Sequence, residues 1–264
     1  MMIRCAHIER LRMSMAKRET YLVSVCHAAF SASRERAQRA ILAGQVQVNG
    51  QRACKSSDLV RPEDGVTVAA AERYVSRGGY KLEHALAHFR LAVAGLTALD
   101  IGASTGGFTD CLLQHGAAKI YAVDVGRGQL AWKLRQDRRV VAMEGLNARY
   151  LSATRFARPF SLVDLVVIDC SFISLRHLLG PAGALLRRSG HLVALVKPQF
   201  EAGKAEADRG GGVIVDAAIH RRVLAELEAF VGTLSGLRWR GVTESPILGP
   251  AGNREFLALL EKTE

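Results

Sequence analysis

The sequence predicts an α/β protein: a mostly parallel, seven-stranded sheet covered by helices on both faces, preceded by a small α+β module. Three observations lead there. From residue 96 onward, short runs rich in Val, Ile and Leu alternate with helical stretches, as in a parallel sheet buried on both sides. A glycine-rich turn, "IGASTGG" over 101–107, directly follows the first of these runs. Ahead of them, "SRERAQRAILAGQVQVNGQR" over 33–52 reads as a short basic helix feeding a tight hairpin.

Composition agrees with two folded modules. The chain has 264 residues, 49% of them hydrophobic, and a formal net charge of +11. That is enough apolar material for a sizeable core and too much for global disorder. Residues 1–90 hold 15 Lys and Arg against 8 Asp and Glu, whereas 91–264 hold 21 against 17. The first third thus carries most of the excess charge, which favours an anionic partner, nucleic acid first and a membrane surface second. The five cysteines, at 5, 26, 54, 111 and 170, form no C-x-x-C pair. They read as reduced thiols rather than a metal site or a disulfide framework. No apolar run approaches ~18 residues, and the N-terminus lacks the apolar stretch of a secretory signal. A cytoplasmic protein without a membrane span is therefore expected. Residues 1–15 are expected to form a disordered extension, with Met15 an alternative start. The modules are placed at 16–72 and 78–264, with a linker over 73–77.

In the first module, Ser33 is a suitable N-cap. Ala37, Ala40 and Ile41 fall on one helical stripe, with Arg34, Arg36 and Arg39 off it. Gly44 stops the helix. "QVQV" then alternates with period two, and Asn49-Gly50 is a strong hairpin signal. A short strand follows within 61–76. Next, "RGGYKLEHALAHF" (77–89) reads as helical from Lys81, with Leu82, Ala85, Leu86 and Phe89 on one face. The strands of the second module are expected at 96–101, 119–124, 139–143, 163–169, 190–196, roughly 237–243, and 255–260.

The clearest chemistry lies in "ALDIGASTGGFTDCLL" (98–113), a strand, a glycine turn and a helix starting near Phe108. Gly102, Gly106 and Gly107 would let backbone approach a ligand where a side chain would collide. Asp124 ends the next strand, where an acid can accept hydrogen bonds from both ribose hydroxyls of a nucleoside. The spacing is not G-x-G-x-x-G, and no G-K-[ST] is present. A nucleoside cofactor without phosphates, S-adenosylmethionine, fits better, with a purely structural tight turn as the alternative. The expected cofactor set is Asp100, Gly102, Ala103, Ser104, Thr105, Gly106, Gly107, Phe108, Asp124, Val125, Asn147 and Asp169.

Asp169 and Lys197 each end an expected central strand. At the carboxyl edge of an open α/β sheet such residues line the ligand crevice. A lysine is costly to bury, so its place at the end of "HLVALVK" suggests chemistry. Lys81 and Glu255 complete a set of four charged residues in unusual contexts, after "RGGY" and "GPAGNR". His84 and His88 share a helix face at i, i+4, but no third ligand is evident and no metal is expected.

With these segments collected, the sequence resembles the TlyA family, in which an RNA-binding domain of ribosomal-protein S-four type precedes an FtsJ-like, Rossmann-like methyltransferase. "SRERAQRAILAGQVQVNGQ", "VSRGGYKL", "LDIGASTGGFTDCLL", "VDLVVIDCSFISL", "LVALVKPQFEAGK" and "GPAGNREFL" carry the resemblance from about residue 30 to the C-terminus. It implies S-adenosylmethionine-dependent methylation of the cytidine 2′-hydroxyl in ribosomal RNA, free or in ribosomal subunits. By motif it assigns a catalytic tetrad to Lys81, Asp169, Lys197 and Glu255.

A ribose hydroxyl is a weak nucleophile, so its proton must leave as the carbon–oxygen bond forms. Lys197 serves either as the base that takes this proton or, with Lys81, as a cation stabilising the developing oxyanion. Arg34, Arg36, Arg39 and Arg52 are expected to neutralise RNA phosphates. A single-stranded loop suits a concave site better than a regular duplex. Two other readings compete: a catalytically silent RNA-binding or ribosome-assembly factor, and a haemolysin, which no apolar span supports.

Overall fold

The computed structural model describes residues 20–30, 33–42, 44–53, 55–61, 63–68, 72–203, 206, 208 and 210–264. The expected extension over 1–15 lies outside the described residues. The chain divides into two compact units, the first ending at Arg73 and the second opening at Tyr74.

The first unit contains β1 (Thr20–Tyr21), α1 (Leu22–Phe30), α2 (Arg34–Leu42), β2 (Val46–Val48), β3 (Gln51–Arg52), β4 (Leu59–Val60) and β5 (Val66–Val68). The stripe on α2 does what its spacing requires. Ala37 and Ile41 pack with Leu22, Val25, Cys26, Val46 and Val60 in one small core. The β2–β3 turn has Asn49 at φ 52° and Gly50 at φ 82°, the left-handed pair that matches hairpin twist. The Asn49 side chain also accepts from the Gly65 amide at 2.8 Å, which ties the turn to the approach of β5. The strand order is β3-β2-β5, antiparallel throughout, with β1 and β4 forming a separate pair.

The second unit runs α3 (Gly78–Phe89), β6 (Thr97–Ile101), α4 (Gly107–Gln114), β7 (Lys119–Asp124), α5 (Trp132–Arg135), β8 (Val140–Glu144), β9 (Val163–Ile168), α6 (Leu179–Ala184), β10 (Leu186–Val196), α7 (Pro198–Glu201), α8 (Ala217–Gly232), β11 (Leu237–Glu244) and β12 (Phe256–Lys262). The sheet order is β11-β12-β10-β9-β6-β7-β8. Neighbours from β8 to β10 are parallel, and β12 runs antiparallel to both β10 and β11. The expected mostly parallel seven-stranded sheet is therefore present. Successive strand residues serve opposite faces. Leu99, Val166, Ile168, Leu192 and Ala194 join α6 and α8 on one side. Ala98, Leu165, Val167, Val193 and Leu195 join α3 and α4 on the other. Order reverses at β6, from which the chain builds outward in both directions, and ligands of such sheets bind beside that switch point. Among the described residues, no helix is long and apolar enough to cross a membrane.

Two details depart from the expectations. β10 begins at Leu186 instead of Gly190, because a bulge between Leu186 and His191 extends its pairing with β9. Ser189 there adopts φ 59°, and a Cβ on Gly190 would lie 2.9 Å from the Asp164 carbonyl oxygen. Helix α3 starts at Gly78 rather than Lys81, so the glycines before Lys81 belong to its first turn. Gly79 is needed for contact: a Cβ there would sit 2.2 Å from the ring of Tyr74. Tyr74, inside the segment read as a linker, is itself only 1% exposed. Gly79→Ala is expected to lower the stability of this unit by about 1–3 kcal/mol, the usual range for overpacking, read as a fall in Tm.

Asp100, within β6, is fully buried. One carboxylate oxygen accepts from Thr109 Oγ1 at 2.6 Å, and the other is buried without a partner. Burial, reinforced by Asp169 and Asp124, raises its pKa to about 7 despite the Thr109 hydrogen bond. A carboxyl raised above its unfolded value holds its proton longer in the native state, so native stability falls as pH rises from about 4 to about 7. The loss is on the order of 4 kcal/mol. Asp100→Asn should remove this dependence while keeping the Thr109 contact. Urea unfolding at pH 5 and pH 8 is expected to separate the parent midpoints much more than the variant's.

Candidate active site

The turn between β6 and α4 is held open by three left-handed residues, Gly102 (φ 85°), Ser104 (φ 48°) and Gly106 (φ 97°). The amides of Gly102 and Ala103 both donate to the Val123 carbonyl, at 2.9 and 3.1 Å. Asp124, closing β7, accepts from the Ser104 and Gly126 amides at 2.8 and 2.7 Å. The glycines are required by protein neighbours as much as by any ligand. A Cβ on Gly102 would meet the Asp169 carbonyl oxygen at 2.4 Å, one on Gly106 the Leu134 side chain at 2.2 Å, and one on Gly107 Ser76 Oγ at 2.2 Å. Gly102 thereby seats the turn directly against the end of β9, which carries Asp169.

The four charged residues line one cavity of about 280 Å³. Asp169 follows β9, and Lys197 follows β10 as the N-cap of α7. Glu255 precedes β12. Because β12 is antiparallel, with Phe256 opposite Val196, its start lies at the same sheet edge where β10 ends. Lys81 enters from the first turn of α3. The side chains form two ion pairs: Lys81 Nζ to Glu255 Oε2 at 2.5 Å and Lys197 Nζ to Asp169 Oδ1 at 2.7 Å. Lys197 also donates to Ser171 Oγ at 2.9 Å. The first pair is enclosed, with side-chain exposures of 8% and 1%, while in the second Asp169 remains 23% exposed. Pairing is what makes such burial tolerable, since either partner alone would be a desolvated charge. The neighbouring Cys170 thiol is pushed up to about 12, chiefly by burial, so it stays protonated at neutral pH.

Of the expected cofactor residues, Gly102, Ala103, Ser104, Thr105, Gly107, Phe108 and Asp169 line this cavity. Asp100, Gly106, Asp124, Val125 and Asn147 do not. Asp100 lies buried within β6, Gly106 turns against Leu134, and the Asp124 carboxylate anchors the turn by accepting from the Ser104 amide. Val125 is exposed beside Asp124. The Asn147 side chain accepts from the Arg149 amide at 3.0 Å, starting a short 3₁₀ turn. His84 Nε2 lies 3.2 Å from Thr243 Oγ1, and its ring stacks on His88. In the first unit Arg34 and Arg52 are exposed, and Arg52 lies over Gly44. The side chains of Arg36 and Arg39 lie outside the described residues.

Sequence reasoning missed Ser76, Arg77, Ser171 and Pro250, which also line the cavity. It also missed Asn253, 2% exposed. Its side chain accepts from the Ile214 amide at 2.9 Å and donates to the Gly212 carbonyl at 2.8 Å, so it fixes the loop that delivers Glu255. None of these positions carries a periodic or compositional signal. Ser171 could have been found only from its place two residues beyond Asp169.

Comparison with known proteins agrees with this geometry. Residues 74–262 match the FtsJ-like methyltransferase family, and residues 22–66 match the S4 domain. The chain is 43% identical over 250 residues to the 16S/23S rRNA (cytidine-2′-O)-methyltransferase TlyA of Mycobacterium tuberculosis, covering 93% of this chain and 91% of that protein. It is 41% identical over 229 residues to Hemolysin A of Brachyspira hyodysenteriae, covering 87% and 94%. A solved structure of a candidate hemolysin from Streptococcus thermophilus superposes with a TM-score of 0.70 at 44% identity, covering 94% of this chain and 90% of that one. The chain thus belongs to the FtsJ-like methyltransferase family, in its TlyA branch, and carries an S4 domain ahead of the methyltransferase unit.

Proposed function

We propose that this protein methylates the 2′-hydroxyl of a cytidine in ribosomal RNA, using S-adenosylmethionine. The observation that carries the reading is the gathering of Lys81, Asp169, Lys197 and Glu255 around one cavity beside the 102–107 turn. The activity named for the Mycobacterium tuberculosis relative agrees with it.

The residues present suit that cofactor. Asp100 keeps a buried carboxylate oxygen without a partner. Asp124 stands at a strand end where ribose hydroxyls can be held, and exposed Val125 offers an apolar surface for a base. Ser104 and Thr105 on the turn complete the cradle. The turn has no phosphate-binding lysine, in keeping with a cofactor that lacks phosphates. When bound, S-adenosylmethionine supplies an electrophilic methyl group on a sulfonium.

The chain's own residues have to bring a ribose hydroxyl into line and deal with its proton. The enclosed Lys81–Glu255 pair fixes one wall and its charge. The Lys197–Asp169 pair is the more open of the two, so Lys197 meets the hydroxyl. It acts either as an amine that accepts the proton or as an ammonium that holds the bared oxygen. The S4 unit supplies affinity for RNA phosphates, and its arginines hold the strand while the other unit works on it. Such a substrate, ribosomal RNA free or in a subunit, places the protein in the cytoplasm.

Lys197→Ala should retain cofactor binding by calorimetry yet lose methyl transfer to ribosomal RNA by ~10²-fold or more, the scale of a lost acid–base group. Labelled methyl incorporation and mass mapping of the digested RNA read the outcome. Activity within a few-fold of the parent would overturn the assignment. The double variant Arg34→Ala/Arg36→Ala should weaken RNA binding, leave cofactor affinity unchanged, and reduce the log–log salt slope by about 1.4 for single strands. Titrations at several salt concentrations test this, and an unchanged slope would count against it.

A further inference from the structure

We propose that Ser171 is a positioning residue for the methyl transfer: its hydrogen bond orients the Lys197 head group, which Asp169 holds by charge, so that the nitrogen faces the substrate oxygen. This deepens the methyl-transfer reading and rests on it. A lysine ammonium has three donors and sits on a flexible stem with free rotation about its last bond. One carboxylate, Asp169 at 2.7 Å, holds the charge in place but leaves that rotation open. A hydrogen-bond acceptor, Ser171 Oγ at 2.9 Å, restrains it. The head group is then held by one hydrogen bond and one ion pair. Lys197 and Ser171 line the same cavity, and Ser171 is exposed while Lys197 is buried. Lys81 differs: its head group is held by Glu255 in an enclosed pair.

The surroundings make Ser171 more than a surface serine. The 171–175 segment is clamped to α7, the helix that Lys197 starts. Glu201 of α7 accepts from Ser174 Oγ at 2.6 Å and from the Leu175 amide at 2.7 Å. Phe172 adopts φ 63°, a conformation that a bulky residue keeps only when its neighbours enforce it. Its ring lies 5.1 Å from that of Phe200, also in α7. The two chain segments that carry Ser171 and Lys197 are thus joined by the Glu201 carboxylate and by the contact of the exposed Phe172 ring with Phe200.

The isosteric pair Ser171→Thr and Ser171→Val isolates the hydroxyl, with Ser171→Ala as the truncation. In Ser171→Ala and Ser171→Val, kcat for methyl transfer is expected to fall about tenfold or more, on the scale by which small misplacements cost rate. KM for RNA and the cofactor Kd should stay at parent values, and Ser171→Thr should recover most of kcat. Parent kcat in Ser171→Ala or Ser171→Val would overturn the inference. So would equal losses in the Thr and Val variants, or a loss confined to KM. Tm of each variant shows whether it is folded, and the matched shape of Thr and Val keeps the comparison valid if Ala alone is unstable. Lys197→Ala, assayed alongside, separates the two readings. If that variant is inactive while the Ser171 variants equal the parent, only the positioning role fails. If it retains parent activity, the methyl-transfer assignment to Lys197 fails.

Discussion

Two ammonium groups withdrawn from water, each answered by one carboxylate, set the terms for the second unit. A desolvated charge is tolerated when a partner of opposite sign and further hydrogen bonds replace its lost water. Lys81, only 7% exposed, has that in Glu255, which is 1% exposed, and Lys197 has it in Asp169 and Ser171. The partners come from four separate places in the chain: the start of a helix, the ends of two parallel strands, and the start of an antiparallel one. The pairing therefore ties α3, on one face of the sheet, to the sheet's carboxyl edge. The glycine turn belongs to the same arrangement, because the missing side chain at Gly102 lets it rest on the backbone of Asp169.

The two pairs differ in exposure. An enclosed pair is a poor reactant and a good wall, since neither member can reach a substrate without breaking the other's environment. A pair with one exposed member can exchange partners with an incoming hydroxyl. Asp169 and Glu255 thus differ in their access to solvent, 23% against 1%. The acid beneath them, Asp100, extends the negative field of Asp124 and Asp169 toward the turn. Burial holds its own pKa near about 7, so it does not add a full charge at every pH.

Much of this was legible in the chain. The apolar runs at 119–124 and 163–169 are strands to within one residue, because a strand buried on both faces has few polar residues to blur its ends. Asn49-Gly50 declared its turn through the backbone conformation it permits. Asp169 and Lys197 stood out because charge at the end of an apolar run has no packing purpose, and Lys81 and Glu255 through the glycine-containing segments before them and the family resemblance. Less legible was anything decided by contact between distant segments. The helix read from Lys81 begins three residues earlier, and only the ring of Tyr74 shows why a glycine is needed at 79 in that first turn. The glycines at 106 and 107 looked like space for a ligand, yet Leu134 and Ser76 take that space. Ser171 and Asn253 are small polar residues in loops, and nothing local distinguishes them from solvated ones.

The register between β10 and β12 has a consequence for how errors in folding are felt. Residues of a strand alternate between faces, so a shift of one position exchanges the two. Were β12 to slip by one residue against β10, Leu257 and Leu259 would trade layers with Ala258 and Leu260, and Glu255 would be carried away from Lys81. The same misalignment would spoil the oily interior and strand an ammonium without its counter-ion. A molecule that closes this strand pair wrongly thus loses its packing and its Lys81–Glu255 pair together, and selection for a sound interior also guards the charge arrangement at its edge.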